Sequence, residues 1–390
     1  MRLGFHYHVP AIQKDGQIWM PGYLGRFVDS LAQHCDSIVC LLHTPRLEEE
    51  KLMDYPLQSN NVSLVALGEH GSLPNRLLHV QNVMRQVRKT HDQMDALLIR
   101  GPTPLLPWVA KAAGPVPISL LLVGDQLAGV DDLPQPGWRK EAIRQFWKWN
   151  TSQQLEIARN GLTFVNSHLL YKQLEGKVPR LVETRTTTLQ ESDFFVREDT
   201  CQQRPIHLLY TGRMDSAKGL LDMVTALSLL VNAGEDVILD LVGWPEKNSG
   251  ILEEIRAQSQ NEGVADRVIY HGYRPVGPEL FEFYKQADIY VIASQSSEGF
   301  PRTIWEAMAN GLPVVATRVG SIPDFIEGSA VLIEPKHQIE LAQGISQIIY
   351  DPHLRKRNIE GGYSLSMENT IEIQSKKMVD LLIEWKLKNG

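Results

Sequence analysis

Ser294-Gln-Ser-Ser-Glu298-Gly-Phe-Pro301-Arg-Thr-Ile-Trp-Glu306-Ala-Met-Ala-Asn-Gly311-Leu-Pro313-Val-Val-Ala316-Thr-Arg-Val-Gly320 is the stretch that decides the fold class. A turn-forming run, Ser296-Ser297-Glu298-Gly299, leads into Pro301, which suits a helix's first turn because its missing N–H would have no partner there. A helix is predicted from Pro301 through Thr303, Ile304, Glu306, Ala307 and Met308. It ends at Asn310-Gly311, where glycine takes the left-handed conformation that closes helices. Pro313 to Ala316 then reads as a buried strand. Glu298 and Glu306 stand eight residues apart, one in the loop and one about a turn into the helix, so both can face one pocket. A helix N-terminus offers unpaired N–H groups and positive partial charge, which attract a polyanion. Carboxylates beside it suit the hydroxyls attached to such an anion, those of a ribose or a hexose. The plainer alternative is a surface loop before an amphipathic helix, with Glu306 a solvated first-turn charge.

Working outward, the second half of the chain repeats this alternation. Strands are predicted at Ile206–Tyr210, Val237–Val242, Val268–Tyr270, Ile289–Ile292, Pro313–Ala316 and Ala330–Ile333, with helices between them. The first half alternates too. Strands are expected at Leu3–Phe5, Ser37–Leu42, Ser63–Leu67, Ala96–Ile99, Ile118–Val123 and Leu162–Val165, and helices at Tyr23–His34, Leu73–Thr90, Pro104–Ala113 and Trp138–Asn160. Lys14–Gly22 reads as a loop, and residues 189–205 as a polar linker. Such β–α alternation implies parallel sheets covered on both faces. The expectation is two Rossmann-like domains, 1–190 and 191–367, facing each other across a cleft, with ligands beyond the carboxyl ends of the strands. The closing segment, Met367–Leu387, reads as a charged helix.

The 390 residues are enough for two or three domains, and 43% of them are hydrophobic, as in soluble globular proteins. A net charge of −7 and a pI near 6.0 argue against a general nucleic-acid binder. The three cysteines, Cys35, Cys40 and Cys201, have no C-x2-C spacing, so neither a disulfide framework nor a zinc site is indicated. The first ten residues lack the apolar region of a signal peptide, and no run approaches the roughly 18 apolar residues of a membrane span. A cytoplasmic location is expected.

Directly after the Ile206–Tyr210 strand comes Thr211-Gly212-Arg213-Met-Asp215-Ser216-Ala-Lys218-Gly219, with a helix from about Leu220. Gly212 allows a tight approach, and Asp215 or Ser216 can cap the helix. Arg213 and Lys218 place two cations near its start, which makes a cradle for a diphosphate. Gly243-Trp-Pro-Glu246 and Gly272-Tyr273-Arg274-Pro275 follow the next two strands on the same edge. Both can equally be plain turns.

The run from Glu298 to Thr317 resembles the E-x7-E signature of glycosyltransferase family 4, the retaining group 1 type with the GT-B fold. The Gly212-Arg213…Lys218-Gly219 segment is similar to the element with which that family holds a nucleotide diphosphate. The resemblance implies a hexosyl transfer, with retention, from a nucleoside-diphosphate sugar to a hydroxyl of a glycan or lipid-linked glycan, as in surface polysaccharide biosynthesis. Arg213 and Lys218 would stabilise the leaving diphosphate. Glu306 would hold ribose hydroxyls, and Glu298 with the backbone of Gly299, Phe300, Pro301, Arg302 and Thr303 would orient the sugar. Gly212, Gly243 and Tyr273 would complete the donor side, Tyr273 near the base. The nucleotide sugar would be a co-substrate, with no cofactor. No Asp-x-Asp occurs, so no metal clamp is indicated. The resemblance also implies that the final helix, 368–390, crosses back to the first domain.

The acceptor side is less marked. Gly22 and Tyr23 stand where the family often has a glycine-rich loop. Asp125 occupies the place of the family's usual histidine, either as a partner for an acceptor hydroxyl or as a cap. Thr187-Thr188-Leu189 replaces the usual Pro-Asn-Gly hinge. His6 and His8 read as neutral cleft or core histidines rather than metal ligands. Trp138–Trp149 mixes three tryptophans and a phenylalanine with four cations; it suits either a peripheral membrane contact or packing on its own domain with the cations outward. Two alternatives stand beside the transferase: a phosphorylase or epimerase on the same fold, and a non-catalytic sugar-nucleotide-binding protein.

Overall fold

The computed structural model describes residues 1–124, 137–246, 249–296 and 300–389. They divide into two compact units, Met1–Thr186 with Ile371–Gly390, and Thr187–Thr370.

The first unit opens with β1 (Arg2–Pro10), β2 (Ile12–Lys14), β3 (Gln17–Met20), α1 (Gly22–Ala32), β4 (Ser37–Thr44), β5 (Tyr55–Pro56) and β6 (Val62–Glu69). It continues with α2 (Leu73–Leu78), α3 (Val80–Thr90), β7 (Ala96–Gly101), α4 (Leu106–Ala113) and β8 (Ile118–Leu122). After these come α5 (Gly137–Asn160), β9 (Leu162–Val165), α6 (His168–Leu174) and β10 (Leu181–Glu183). Its main sheet has the order β10-β9-β8-β7-β1-β4-β6 and is parallel throughout. Leu97, Leu98, Ile99, Leu120, Leu121 and Leu122 are buried on both faces, which is why these strands read as unbroken apolar runs rather than alternating ones.

The second unit contains β11 (Ile206–Met214), α7 (Leu220–Asn232), β12 (Val237–Pro245), α8 (Ile251–Asn261), β13 (Val268–Gly272), α9 (Pro278–Gln286) and β14 (Ile289–Ile292). Next are α10 (Arg302–Ala309), β15 (Val314–Thr317), α11 (Ile322–Ile326), β16 (Val331–Ile333), α12 (Gln338–Tyr350) and α13 (Pro352–Met367). Its parallel sheet runs β13-β12-β11-β14-β15-β16. In each sheet the strand order reverses beside the first strand, between β1 and β7 and between β11 and β14. Open α/β sheets bind ligands at that switch point.

The last helix, α14 (Ile371–Asn389), belongs to the first unit. Ile371, Met378, Val379, Leu382 and Trp385 are buried in the same core as Leu24, Phe27 and Leu31 of α1, and the Ser30 hydroxyl donates to the Ile371 carbonyl at 3.2 Å.

Three expectations are corrected. Lys14–Gly22 is no loop: β2 and β3 form a hairpin in which Lys14 faces Gln17 across Asp15-Gly16, both at positive φ (54° and 78°). That is the two-residue turn that matches strand twist, and Asp-Gly is its preferred sequence. Residues 189–205 are no linker either. The Arg197 guanidinium donates to the carbonyls of Tyr284, Lys285 and Ala287, Asp199 pairs with Arg355 at 2.7 Å, and the Cys201 amide donates to Asp288. Those bonds weld the segment to the second unit. The single helix expected over Leu73–Thr90 is broken at His79, which caps α2 and precedes α3.

Candidate functional site

In the second unit the carboxyl ends of β11, β12 and β14 meet the start of α7. β11 runs on past Tyr210 to Met214, so Arg213 stands on the strand's end, held there by the Tyr210 hydroxyl donating to its carbonyl at 2.6 Å. Arg213 Nε lies 2.9 Å from Asp215 Oδ2 and Nη1 lies 3.6 Å from Glu246 Oε1. The guanidinium is half-exposed and aimed by these two carboxylates. Asp215 is buried, and its other oxygen accepts from the Ala217 amide at 2.9 Å, capping a single 3-10 turn, Ser216–Lys218.

Two glycines set how closely these parts approach. Gly219 has φ 66°, and a Cβ there would lie 1.9 Å from the Ala293 carbonyl oxygen, so α7 begins directly on the end of β14. The Gln295 amide donates to the Ala217 carbonyl at 2.7 Å and fastens the Lys218 turn to the same loop. On the other side a Cβ on Gly243 would lie 1.8 Å from the Gly212 carbonyl oxygen, in the register that pairs these two residues. The site is thus a backbone junction with two cations on its rim.

α10 supplies the other half. Pro301 precedes it with extended backbone, and Gly311 follows its C-cap at φ 68°. The Phe300 ring stacks on Trp305 at 4.3 Å and meets Phe325 edge-on. Thr303 Oγ1 accepts from the Tyr290 hydroxyl at 2.6 Å. Glu306 is not a solvated charge: it is buried, Oε1 accepting from the Thr188 hydroxyl at 2.7 Å and Oε2 from the Tyr284 hydroxyl at 2.8 Å. Burial, and then the negative charge of Glu306, raise the Tyr284 phenol well above its ordinary value, so it remains a donor. Tyr284 also lies 2.6 Å from Thr211 Oγ1, next to Gly212, so a buried polar chain runs from Thr188 to the strand end. A carboxylate has about four lone-pair directions, and two are used here. Glu298 and Gly299 lie outside the described residues, and Arg302 opens α10.

Residues 193–365, nearly the whole second unit, match the family model described as glycosyl transferases group 1. The second unit is thus similar to the group 1 glycosyl transferases. A D-inositol 3-phosphate glycosyltransferase of Acidothermus cellulolyticus is 32% identical over 176 residues, which is 42% of this chain and 39% of that protein. The chain therefore spans about two fifths of the length of the curated relatives it matches. Among solved structures, sucrose-phosphate synthase from Thermosynechococcus elongatus covers 100% of both chains at a TM-score of 0.73 and 17% identity. Anabaena HepE, solved with UDP and glucose, covers 98% of this chain and 99% of its own at 0.71 and 18% identity. The chain has the fold these neighbours share, GT-B.

Tyr273 was expected on the donor side, but its packing against Trp244 and the partners of Glu306 were not singled out from sequence. Trp244 and Tyr273, both exposed, meet edge-on at 5.4 Å beyond the ends of β12 and β13, while the Tyr270 hydroxyl donates to the Gly243 carbonyl at 3.2 Å. The aromatic directly after Gly243 was the available signal. The Thr188 and Tyr284 partners of Glu306 carried none, being far from it in sequence.

In the first unit Gly22 opens α1, its amide donating to Asp54 Oδ1 at 2.8 Å, and Tyr23 packs on the core. Asp125 lies outside the described residues. His6 is buried, with Nδ1 against the Leu41 carbonyl at 2.8 Å, and burial lowers its pKa to about 4; burial lowers His8 to about 3. Both are neutral at physiological pH. Along α5 the two expectations divide. Trp149 packs against Trp108 and Phe146, whereas Trp138 is 70% exposed beneath the Arg139 guanidinium.

Proposed function

We propose that the protein moves a hexose from a nucleoside-diphosphate sugar to a hydroxyl of a glycan or lipid-linked glycan, with retention at the anomeric carbon, in the building of a surface polysaccharide. The observation that carries this reading is the junction of β11, β12, β14 and α7, with Arg213 and Lys218 on its rim and α10 beside it. In the proposed reaction the acceptor oxygen forms a bond to the anomeric carbon as the bond from that carbon to the diphosphate breaks. The acceptor proton passes to the departing phosphate oxygen.

The difficulty is the charge gathering on that leaving group. Arg213, Lys218 and the positive N-terminal end of α7 oppose it with fixed charge and dipoles, which costs no reorganisation during the reaction. Glu306, already oriented by Thr188 and Tyr284, offers its remaining lone pairs to ribose hydroxyls. Glu298 with Gly299 to Thr303 orients the hexose, Tyr273 and Trp244 border the base, and Asp125 with Gly22 and Tyr23 serves the acceptor side. The two cations do the work of a metal ion. Trp138 with Arg139, Lys140, Arg144 and Lys148 supports a peripheral contact with an anionic membrane.

The test is nucleoside-diphosphate release across UDP-, GDP- and ADP-sugars, with and without glycan acceptors. We expect one nucleotide class to be turned over and acceptor to raise the rate. Release with none of them, or sugar transfer only in the presence of inorganic phosphate, would contradict the proposal.

A further inference from the structure

α7 begins with a buried carboxylate. An acidic side chain in a helix's first turn is favoured by the helix dipole and ordinarily stands in water. Asp222, in the first turn of α7, is buried instead, which is unfavourable unless its oxygens are hydrogen-bonded. Both are: Oδ2 accepts from the side-chain amide of Gln295 and Oδ1 from that of Gln338. These donors lie 73 and 116 residues further along the chain, so one side chain joins the start of α7 to the loop after β14 and to the first residue of α12.

Gln295 is the partner that reaches the candidate site. Its side chain is held by Asp222, and its backbone amide donates to the Ala217 carbonyl at 2.7 Å, inside the turn that carries Lys218. At the start of that turn Asp215 Oδ1 accepts from the Ala217 amide at 2.9 Å, and the Asp215 carbonyl accepts from the Lys218 amide at 3.2 Å. From the end of β15 the Thr317 hydroxyl donates to the Ser294 carbonyl at 2.7 Å, both residues being buried. Ser294 is thus tied to β15 and Gln295 to α7, and the Lys218 turn is clasped between Asp215 and Gln295. Gln338 opens α12, an element outside the junction of β11, β12, β14 and α7.

We propose that Asp222 is a positioning residue for the transfer: by holding Gln295 against α7 it fixes the turn from which Lys218 meets the charge of the leaving diphosphate. The positioning role rests on the transfer proposed above; the clamp of Asp222 on Gln295 does not. If Asp222 only stabilised the start of the helix, its two amide partners would be equivalent for turnover.

The experiment compares Gln295→Glu, Gln338→Glu and the double variant Asp222→Asn with Gln295→Glu, each in the full chain. Either glutamate replaces the donating NH2 by an oxygen of similar size and sets one carboxylate against another, so both single variants should lower Tm alike. A displacement near 1 Å can cost about a hundredfold in rate, so Gln295→Glu is expected to lower turnover at saturating donor about tenfold or more, with the donor KM changed by less than about threefold. Gln338→Glu is expected to keep turnover within about threefold of wild type. In the double variant donor and acceptor change places, and the oxygen left at residue 222 still accepts from Gln338, so turnover should return to within about threefold of wild type. Wild-type-like turnover in Gln295→Glu, equal losses of turnover in the two single variants, or no recovery in the double variant would overturn the positioning role. If Gln295→Glu does not fold, Gln295→Ala, which removes the donor without adding a charge, takes its place. Hydrogen exchange of the backbone amides over 289–296 reads the clamp without any donor: it should quicken in Gln295→Glu and recover in the double variant, and unchanged exchange would overturn the clamp. Failure of every donor to be turned over by wild type would strike the transferase proposal and the positioning role with it, while the exchange result still decides the clamp.

Discussion

Gly219→Ala is the substitution whose consequence is most directly fixed by the geometry. A methyl group at residue 219 would lie 1.9 Å from the Ala293 carbonyl oxygen, and the obstacle is backbone, not a side chain that can turn away. Carbon and carbonyl oxygen settle no closer than about 3.3 Å even in favourable contacts. The start of α7 and the end of β14 must therefore separate by more than about 1 Å. Alanine also dislikes the left-handed conformation at φ 66°, at roughly 1–2 kcal/mol. Overpacking adds about 1–3 kcal/mol. The sum, about 2–5 kcal/mol, corresponds to a fall in Tm of about 4–20 °C for a unit of this size. Because the Lys218 turn is fastened to the same loop, turnover should fall as well, on the order of a hundredfold for a displacement near 1 Å. Gly263→Ala is the control: it has φ 73° but open space, so only the conformational cost applies and turnover should be kept. Scanning calorimetry and nucleotide release on both variants decide the matter. A Gly219→Ala protein that melts within 2 °C of wild type and turns over within about threefold of it would refute the close approach of α7 to β14.

Other outcomes follow from the same geometry. His207 Nδ1 and His271 Nε2 each lie 2.7 Å from Asp240, whose bond to His207 raises that imidazole above its ordinary pKa. Burial opposes the Asp240 charge, yet the two histidines hold its carboxyl below its ordinary value. The imidazolium's contribution is complete below about pH 6.5 and lost as pH rises through the raised value; that of Asp240 is present above about pH 3.8 and lost as pH falls through the lowered one. Asp240→Asn should therefore reduce the unfolding free energy more at pH 5.5 than at pH 8.5, by less than about 1 kcal/mol because His207 is partly exposed; equal losses at both pH values would contradict the coupling. Activity is expected to survive EDTA, since the two cations serve the leaving group; complete loss restored by manganese or magnesium would show that a metal carries that charge. Sedimentation with anionic liposomes is expected at low salt and should fall when Arg139, Lys140, Arg144 and Lys148 are neutralised together; no sedimentation would leave α5 as a packing helix.

What the sequence made legible depended on how local the cause was. The bounds of α10 follow from Pro301 and Gly311, two residues whose backbone preferences act within a turn of themselves. β14 was readable to the residue because a parallel strand buried on both faces is an unbroken apolar run. The Asp15-Gly16 hairpin was also local, and its sequence signal was present though the segment reads as a loop. Residues 189–205 were not legible, because Arg197 and Asp199 find their partners more than 80 residues away, in α9, the segment after it and α13. For the same reason the two partners that enclose Glu306, Thr188 and Tyr284, could not be read from the residues beside it. In the first unit His43, Glu69 and Arg76, which border one cavity, come from β4, β6 and α2, so only the folded sheet brings them together.

The central claim is that Arg213 and Lys218 carry the charge of a departing nucleoside diphosphate, and Lys218→Ala tests it most directly. Its turnover in the nucleotide-release assay, with Tm measured on the same preparation, should fall about a hundredfold or more at saturating donor while the protein melts as wild type does. Wild-type-like turnover in a folded Lys218→Ala protein would contradict it.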